Sequence, residues 1–401
     1  MKDLVDKFRS EPSSDNMRAV VAQAVSNRLT DAGIAYLASV LGRSGNVLEI
    51  PMSQPKADLA STGAPTSLST LLGPLYLRAL DFCVPKLGVP GRPAGGVDTL
   101  AQLPGYRVKL TNDEVMDCIE RCGYSHFLAG EEQAPLDARL FRFRQLSGTQ
   151  SVPGLTIASI LSKKIAVGLN HAGLDVRVGP HGNFGVTWTE ARRNARRFSK
   201  IASIAGIDSV CFLTDARFPY QPFVGRGESL VALKDTFSGR QDSFLENHTK
   251  VCFAMACATV SHPAMDLQSH TKAAEKHFYD NLRAQGSSQD AFEEYVNKIR
   301  REHYFEYLAT EHGFLCMILA RLRDLFLRFQ SVGVEGNVEF PDGIGVVLQK
   351  MPGDMVRPGD LIATVRVIEE QWHSVKRRLD NVFSISETME VGPGFEKVIN
   401  G

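Results

Sequence analysis

The sequence predicts an α/β protein with three parts: a small helical domain, a larger α/β domain on a central, mostly parallel sheet, and a C-terminal β-rich α+β unit. Three observations predict this. Residues 16–43 carry apolar side chains at helical spacing. Residues 174–233 run strand, helix, strand and helix, the rhythm of parallel strands joined by crossover helices. Residues 334–367 are short β-branched runs broken by Pro-Gly and Gly-Asp turns.

Composition narrows the function classes. The chain has 401 residues, 22% charged and 43% hydrophobic, which describes an ordinary soluble protein long enough for two or three cores. Formal net charge is zero, so nothing favours nucleic acid or an anionic membrane as partner, and a charged ligand must be met by local groups. No apolar run approaches membrane-spanning length, and MKDLVDKFRS lacks the apolar core of a signal peptide. The seven cysteines are odd in number and form no C-x-x-C pair, which fits free thiols in a reducing cytoplasm. No metal site is assigned.

Taken in order, residues 16–43 form two helices, the second opening at Thr30 and carrying Ile34, Leu37, Val40 and Leu41 at helical spacing. Lys56 to Gly105 holds two stretches rich in Gly, Pro, Ser and Thr. The first, KADLASTGAPTSLSTLLGP, supplies hydroxyls and amides running onto a helix that begins near Ser67, the kind of terminus that binds anions. A pair of tight turns fits the same composition.

Leu140 to Lys164, LFRFRQLSGTQSVPGLTIASILSKK, is the most informative stretch. Arg144 precedes a Ser/Gly/Thr turn. Thr156 to Lys164 then reads as a helix with Ile157, Ile160 and Leu161 on an apolar face and Ser159 and Lys163 four apart on the other. If Arg144 folds back over them, the three offer the donors that a flat ring with two carbonyl acceptors requires. A solvated helix face has the same spacing.

From Leu174, LDVRVGPHGNFG reads as a strand and a turn, the turn carrying His181. A helix from Thr189 to Gly206 and a strand from Ser209 to Thr214 follow, then a charged helical region over 240–310 without a motif and an amphipathic stretch from Phe314 to Phe329.

The segment R-x14-S-I-L-S-K-K resembles the base-binding stretch of the thymidine and pyrimidine-nucleoside phosphorylases. In that family the Arg, the Ser and the first Lys hold the pyrimidine carbonyls and N3, which the resemblance carries to Arg144, Ser159 and Lys163. A family Tyr shortly before the Arg appears as Phe141. The family loop D-K-H-S-T-G-G-V-G-D-x-x-S is matched at Asp58, Ser61, Thr62, Gly63 and Ser69, and the paired glycines of S-G-R-G-x-x-H-T-G-G-T at Gly95 and Gly96. The resemblance thus implies phosphate binding by Ser61, Thr62, Ser69, Gly95 and Gly96. The family Lys and His are Leu59 and Ala60 here, its Ser is Gly88, and its Thr is Val97. Replacement cations are sought in Lys56, Lys86 and Arg92, and restoring Leu59→Lys is expected to tighten phosphate. The family D-V-K-V-G-S-G-A-F is matched at Asp175, Gly182 and Phe184 with one residue inserted. Phe184 is then a candidate wall for the base, and His181, on the inserted loop, a candidate substitute proton donor.

The resemblance also implies the organisation: a helical domain in two parts (1–48 and 134–168), an α/β domain in two parts (49–133 and 169–330), and a hammerhead-like unit (331–401). It implies a pentosyltransferase acting on a pyrimidine nucleoside with inorganic phosphate as acceptor, without a cofactor, and, by the family's habit, a homodimer. Arg144, Lys163 and His181 would carry the catalysis. Two other readings stay open: a phosphate-independent nucleoside hydrolase or a transferase with another acceptor or N-glycoside, and a nucleoside-binding homologue without catalysis.

Overall fold

The computed structural model describes residues 2–50, 53–91, 95–129, 132–180, 182–263, 266–330, 339–389 and 395–399. Three helices open the chain: α1 (Lys2–Ser10), α2 (Ser14–Val25) and α3 (Asp31–Gly42). Thr30 caps α3, its hydroxyl accepting the Gly33 N–H at 3.1 Å and satisfying one of the amides a helix start leaves unpaired. Next come β1 (Ala57–Ser61), α4 (Ser69–Ala79), β2 (Val84–Gly88), the short α5 (Gly96–Leu100), α6 (Asn112–Cys122) and β3 (Tyr124–Leu128). Helices α7 (Pro135–Leu146) and α8 (Pro153–Ala166) return to the opening helices, where Leu140, Leu155, Ile157, Ala158 and Leu161 join the α1–α3 core.

The chain continues with β4 (His171–Val178), α9 (Trp188–Ile204), β5 (Asp208–Asp215), β6 (Phe223–Val224) and four helices, α10 (Arg226–Phe237), α11 (Ser243–Thr259), α12 (Leu267–Ala284) and α13 (Gln289–Arg301). It ends with β7 (Tyr304–Leu308), β8 (Gly313–Met317), α14 (Leu319–Phe329), β9 (Gly345–Leu348), β10 (Met355–Val356), β11 (Leu361–Arg366), α15 (Glu369–Leu379), β12 (Phe383–Ser386) and β13 (Phe395–Ile399).

Strands β1, β4 and β5 are parallel neighbours, and a bridge between Lys56 and Cys83 joins the parallel pair β2 and β3 to their edge. On the far side β13 runs antiparallel to β5. Side chains alternate across a strand, so the two faces of β4 meet different partners. Ala172, Leu174, Val176 and Val178 pack with α3, α8 and α9, while the opposite face carries Asp175 and Arg177. This alternation, with the register Ser61↔Asp175↔Phe212 and Arg177↔Thr214, gathers Ser61, Asp175, Arg177 and Thr214 on one face at the C-terminal strand ends. Ligands favour that edge of open parallel sheets.

The C-terminal unit consists of two antiparallel sheets, β6-β9-β11-β7 and β10-β8-β12, around Leu315, Leu322, Phe326, Val346 and Val365. The sequence boundary at 331 falls inside it. Strands β7 and β8, upstream of that boundary, pair with β11 and β12 downstream. The stretch 314–329 accordingly divides into a strand and a helix.

Candidate active site

Ser159 and Lys163 lie side by side on α8, as four-residue spacing requires. The Lys163 ammonium donates to the Ser159 hydroxyl at 3.1 Å and to the Ser159 carbonyl at 2.9 Å. It also pairs with Asp137 of α7, both side chains being nearly buried. The second carboxylate oxygen of Asp137, Oδ1, is buried without a hydrogen-bond partner. Asp137 was not singled out from the sequence, although Asp137, Phe141 and Arg144, spaced four and three apart, share one face of α7. Phe141 is half-buried there.

Arg144 does not fold over Ser159 and Lys163. Its guanidinium donates to the carbonyls of Thr149 (3.4 Å), Gln150 (2.6 Å) and Leu155 (3.2 Å) and to the Thr156 hydroxyl (3.2 Å). It thereby ties the turn between α7 and α8 to the first turn of α8. Burial pushes its pKa down to about 10, still far above neutrality.

The loop from Ser61 to Ser69 is the second centre. Arg177 is fully buried and gathers the loop's hydroxyls: it donates to Ser67, to Ser69 at 3.3 Å, to Thr214 at 3.0 Å and to Ser61 at 3.4 Å, and it pairs with Asp175. Asp175 accepts from Ser69 at 2.7 Å and Thr214 at 3.0 Å. The Thr62 hydroxyl accepts the Arg177 backbone N–H at 2.8 Å. Tyr220 lies beside the guanidinium, 4.3 Å from ring centre to Cζ, and stacks on His248. Burial disfavours charge on Arg177, yet Asp175 and Tyr220 together with Cys252 outweigh it and raise the pKa. His248 accepts the Leu68 N–H at 2.9 Å, and burial, then the Arg177 charge, push its pKa down to about 3. A neutral ring is what an acceptor nitrogen requires.

Beside this network, Asp58 accepts from Lys86 at 2.7 Å and pairs with Lys164 of α8. Burial alone would raise the Asp58 pKa, but Lys164 and Lys86 hold it below the ordinary carboxylate range. Lys86, a sought replacement cation, is committed to Asp58 and the Leu59 carbonyl. Lys56 reaches the Ile50 carbonyl at 3.5 Å. Arg92 and His181 lie outside the described residues.

Leu59 and Ala60 belong to opposite cores. Leu59 is enclosed, with side-chain carbons 2.5 Å and 2.6 Å from where a Cβ on Gly73 or Gly173 would stand. Ala60 packs toward the helical domain. Gly95 precedes α5 and Gly96 begins it; a Cβ on Gly96 would meet the His126 ring at 2.4 Å and the Thr70 carbonyl at 2.7 Å. His126, unremarked in the sequence, is buried, and desolvation followed by the Lys86 charge holds its pKa well below the ordinary value. Phe184 is wholly enclosed, edge-on to Phe198 with ring centres 6.0 Å apart.

The signal that could have found Arg177 was alternation: a cation two residues after Asp175 in a strand shares its face.

No family profile matches the chain. It is 25% identical to the pyrimidine-nucleoside phosphorylase of Geobacillus stearothermophilus over 97% of its own length and 93% of that protein. The Bacillus subtilis pyrimidine-nucleoside phosphorylase is 25% identical over 88% and 84%, and that of Staphylococcus aureus 22% over 90% and 86%. Among solved structures, anthranilate phosphoribosyltransferase from Saccharomyces cerevisiae, in complex with PRPP and Mg, shares the fold with a TM-score of 0.50 at 13% identity, covering 74% of this chain and 93% of that one. In fold, the chain is an α/β protein of the same architecture as that transferase. In sequence it is similar over most of its length to the pyrimidine-nucleoside phosphorylases. Among the described residues, no helix is long and apolar enough to cross a membrane.

Proposed function

We propose that the protein is a pyrimidine-nucleoside phosphorylase-like pentosyltransferase. It cleaves the N-glycosidic bond of a uridine- or thymidine-type nucleoside and passes the sugar to phosphate, giving free base and (deoxy)ribose 1-phosphate. The carrying observation is the Ser159–Lys163 pair on α8, braced by Asp137, in a chain similar over most of its length to proteins of that name. The N-glycosidic electron pair leaves with the base, and charge gathers on its carbonyl oxygens. Lys163 and Ser159 donate to that developing charge while a phosphate oxygen adds to the oxocarbenium-like sugar carbon. Arg144 joins them as a base ligand by exchanging turn carbonyls for base carbonyls. Phosphate lies at the Ser61–Ser69 loop. This reading sets the reaction in cytoplasmic nucleoside salvage and the protein in a homodimer, the latter testable by sedimentation velocity.

A second reading, base release to water or another acceptor, is favoured by Leu59 and Ala60, which put apolar, core-facing side chains where the family has its Lys and His. One assay separates the two: purified protein with uridine, thymidine and cytidine, with and without phosphate. Free base and sugar 1-phosphate appearing only with phosphate supports the first. Release indifferent to phosphate supports the second, and no release from any nucleoside overturns both.

A further inference from the structure

We propose that Arg177 is a cation of the acceptor subsite, standing on β4 beside the β1 position that Leu59 leaves uncharged; this rests on the phosphorylase reading above. The ligand class is a phosphate dianion, either free inorganic phosphate or the phosphoryl group of a pentose 1-phosphate. Three features lead there. First, Ser61, Asp175, Arg177 and Thr214 share one face at the C-terminal strand ends, and Leu59, two residues before Ser61, belongs to that same face of β1. A cation at 177 therefore serves the side of the sheet that a cation at 59 would have served. Secondly, the hydroxyls of Ser61, Ser67 and Ser69 converge on this one guanidinium rather than on one another alone. Thirdly, the fork is unevenly engaged. Its Nη2 end is held by Asp175 and two serines, and Nη1 by Thr214. The Nε–H edge makes only the long 3.4 Å contact to Ser61, which is half-buried, where the network approaches solvent. An anion at Ser61 meets that edge, and the Ser61 hydroxyl, which now accepts the Gly63 N–H at 3.1 Å, turns to donate to it. Asp175 keeps the fork oriented, and its hydroxyl partners carry part of its charge, so the pair need not separate when phosphate binds.

The test measures binding of inorganic phosphate and of ribose 1-phosphate by calorimetry, separately from binding of uridine. Removing Arg177 alone strands a buried carboxylate, so the main variant is Arg177→Gln with Asp175→Asn, and Arg177→Lys is the partner variant that keeps a charge near Asp175 but withdraws the fork edge. Loss of one charge-assisted hydrogen bond weakens both phosphate ligands by about tenfold or more, while uridine affinity stays near wild type. Ser61→Ala weakens phosphate in the same direction. Unchanged phosphate affinity in the folded double variant or in Arg177→Lys overturns the proposal, as does a parallel loss of uridine binding, which marks a structural role. A wild-type protein that binds phosphate but releases no base sinks the phosphorylase reading and leaves this subsite standing. One that binds neither phosphate ligand sinks the subsite.

Discussion

Replacing Lys163 separates its chemical from its structural work. Lys163 pairs with Asp137, whose side chain is 3% exposed and whose Oδ1 already lacks a partner. Lys163→Met leaves that carboxylate buried without its paired ammonium, a loss of about 3–5 kcal/mol when one member of a buried pair is removed. The same substitution withdraws a donor from the leaving base, expected to slow release by about 10²–10³, or about 2.7–4 kcal/mol. The two effects part in the double variant Asp137→Leu/Lys163→Met, because replacing a buried ion pair by apolar side chains of similar volume is often neutral. Denaturant unfolding should therefore show a large loss in the single variant and recovery in the double one. Base release, assayed by uracil absorbance on the folded fraction, should stay slow in both. A double variant that regains wild-type turnover would refute the leaving-group role, and a single variant as stable as wild type would refute the burial argument.

Leu59→Lys is expected to destabilise rather than to tighten phosphate, because the side chain points into the core against Gly73 and Gly173; denaturant midpoints and phosphate calorimetry check this. His248 should stay neutral down to about pH 4, seen as an unchanged imidazole 15N shift, since its nitrogen accepts the Leu68 N–H; titration near the ordinary value would refute the acceptor role. Asp342 lies buried beside Glu228 and Arg366, and burial first, then the Glu228 charge, raise its pKa to about 6. Its folded pKa exceeds its unfolded one, so its contribution is full below about pH 4 and fades as pH rises through about 6, a change of about 3 kcal/mol. Urea midpoints of Asp342→Asn should lack that slope, and an identical slope in the variant would assign it elsewhere.

Local rules were readable where sequence neighbours decide the outcome. Thr30 before an apolar helical pattern gave the α3 start, and four-residue spacing gave the Ser159–Lys163 pair. What escaped was set by partners far along the chain. Asp137 meets Lys163 across 26 residues, β13 returns to β5, and β7 finds β11, none of which a local pattern encodes. Arg144 was legible as a cation beside a turn, but its direction was not. Carbonyls from Thr149 to Leu155 compete for the guanidinium, and a backbone acceptor five to eleven residues away lies closer in the fold than the helix face the spacing suggested.

The same limit applies to the acceptor loop. Position by position, β1 lacks the cation and the histidine of the motif it resembles, because Leu59 and Ala60 stand there. A site at the end of a parallel sheet is built from several strands, however, and charge on one can stand in for charge on its neighbour when both residues share a face. β4 lies directly beside β1, and the register puts Arg177 one same-face step beyond the Ser61↔Asp175 pair. Its long side chain then reaches back to Ser61 and across to Ser67 and Ser69. The D-V-K-V-G stretch that β4 resembles has a lysine at the Arg177 position, so of two cations on this face the one at Leu59 has become core packing against Gly73 and the one at Arg177 remains. The remaining cation differs in kind from that lysine, because a guanidinium supplies a planar fork that an ammonium cannot. Arg177→Lys and Leu59→Lys should therefore fail to rescue each other: in the double substitution one ammonium is drawn to Asp175 and the other is buried against glycines, and phosphate affinity falls below that of Arg177→Lys alone. Recovery of wild-type phosphate affinity in that double variant would show that any cation on this face suffices and would end the argument for the fork.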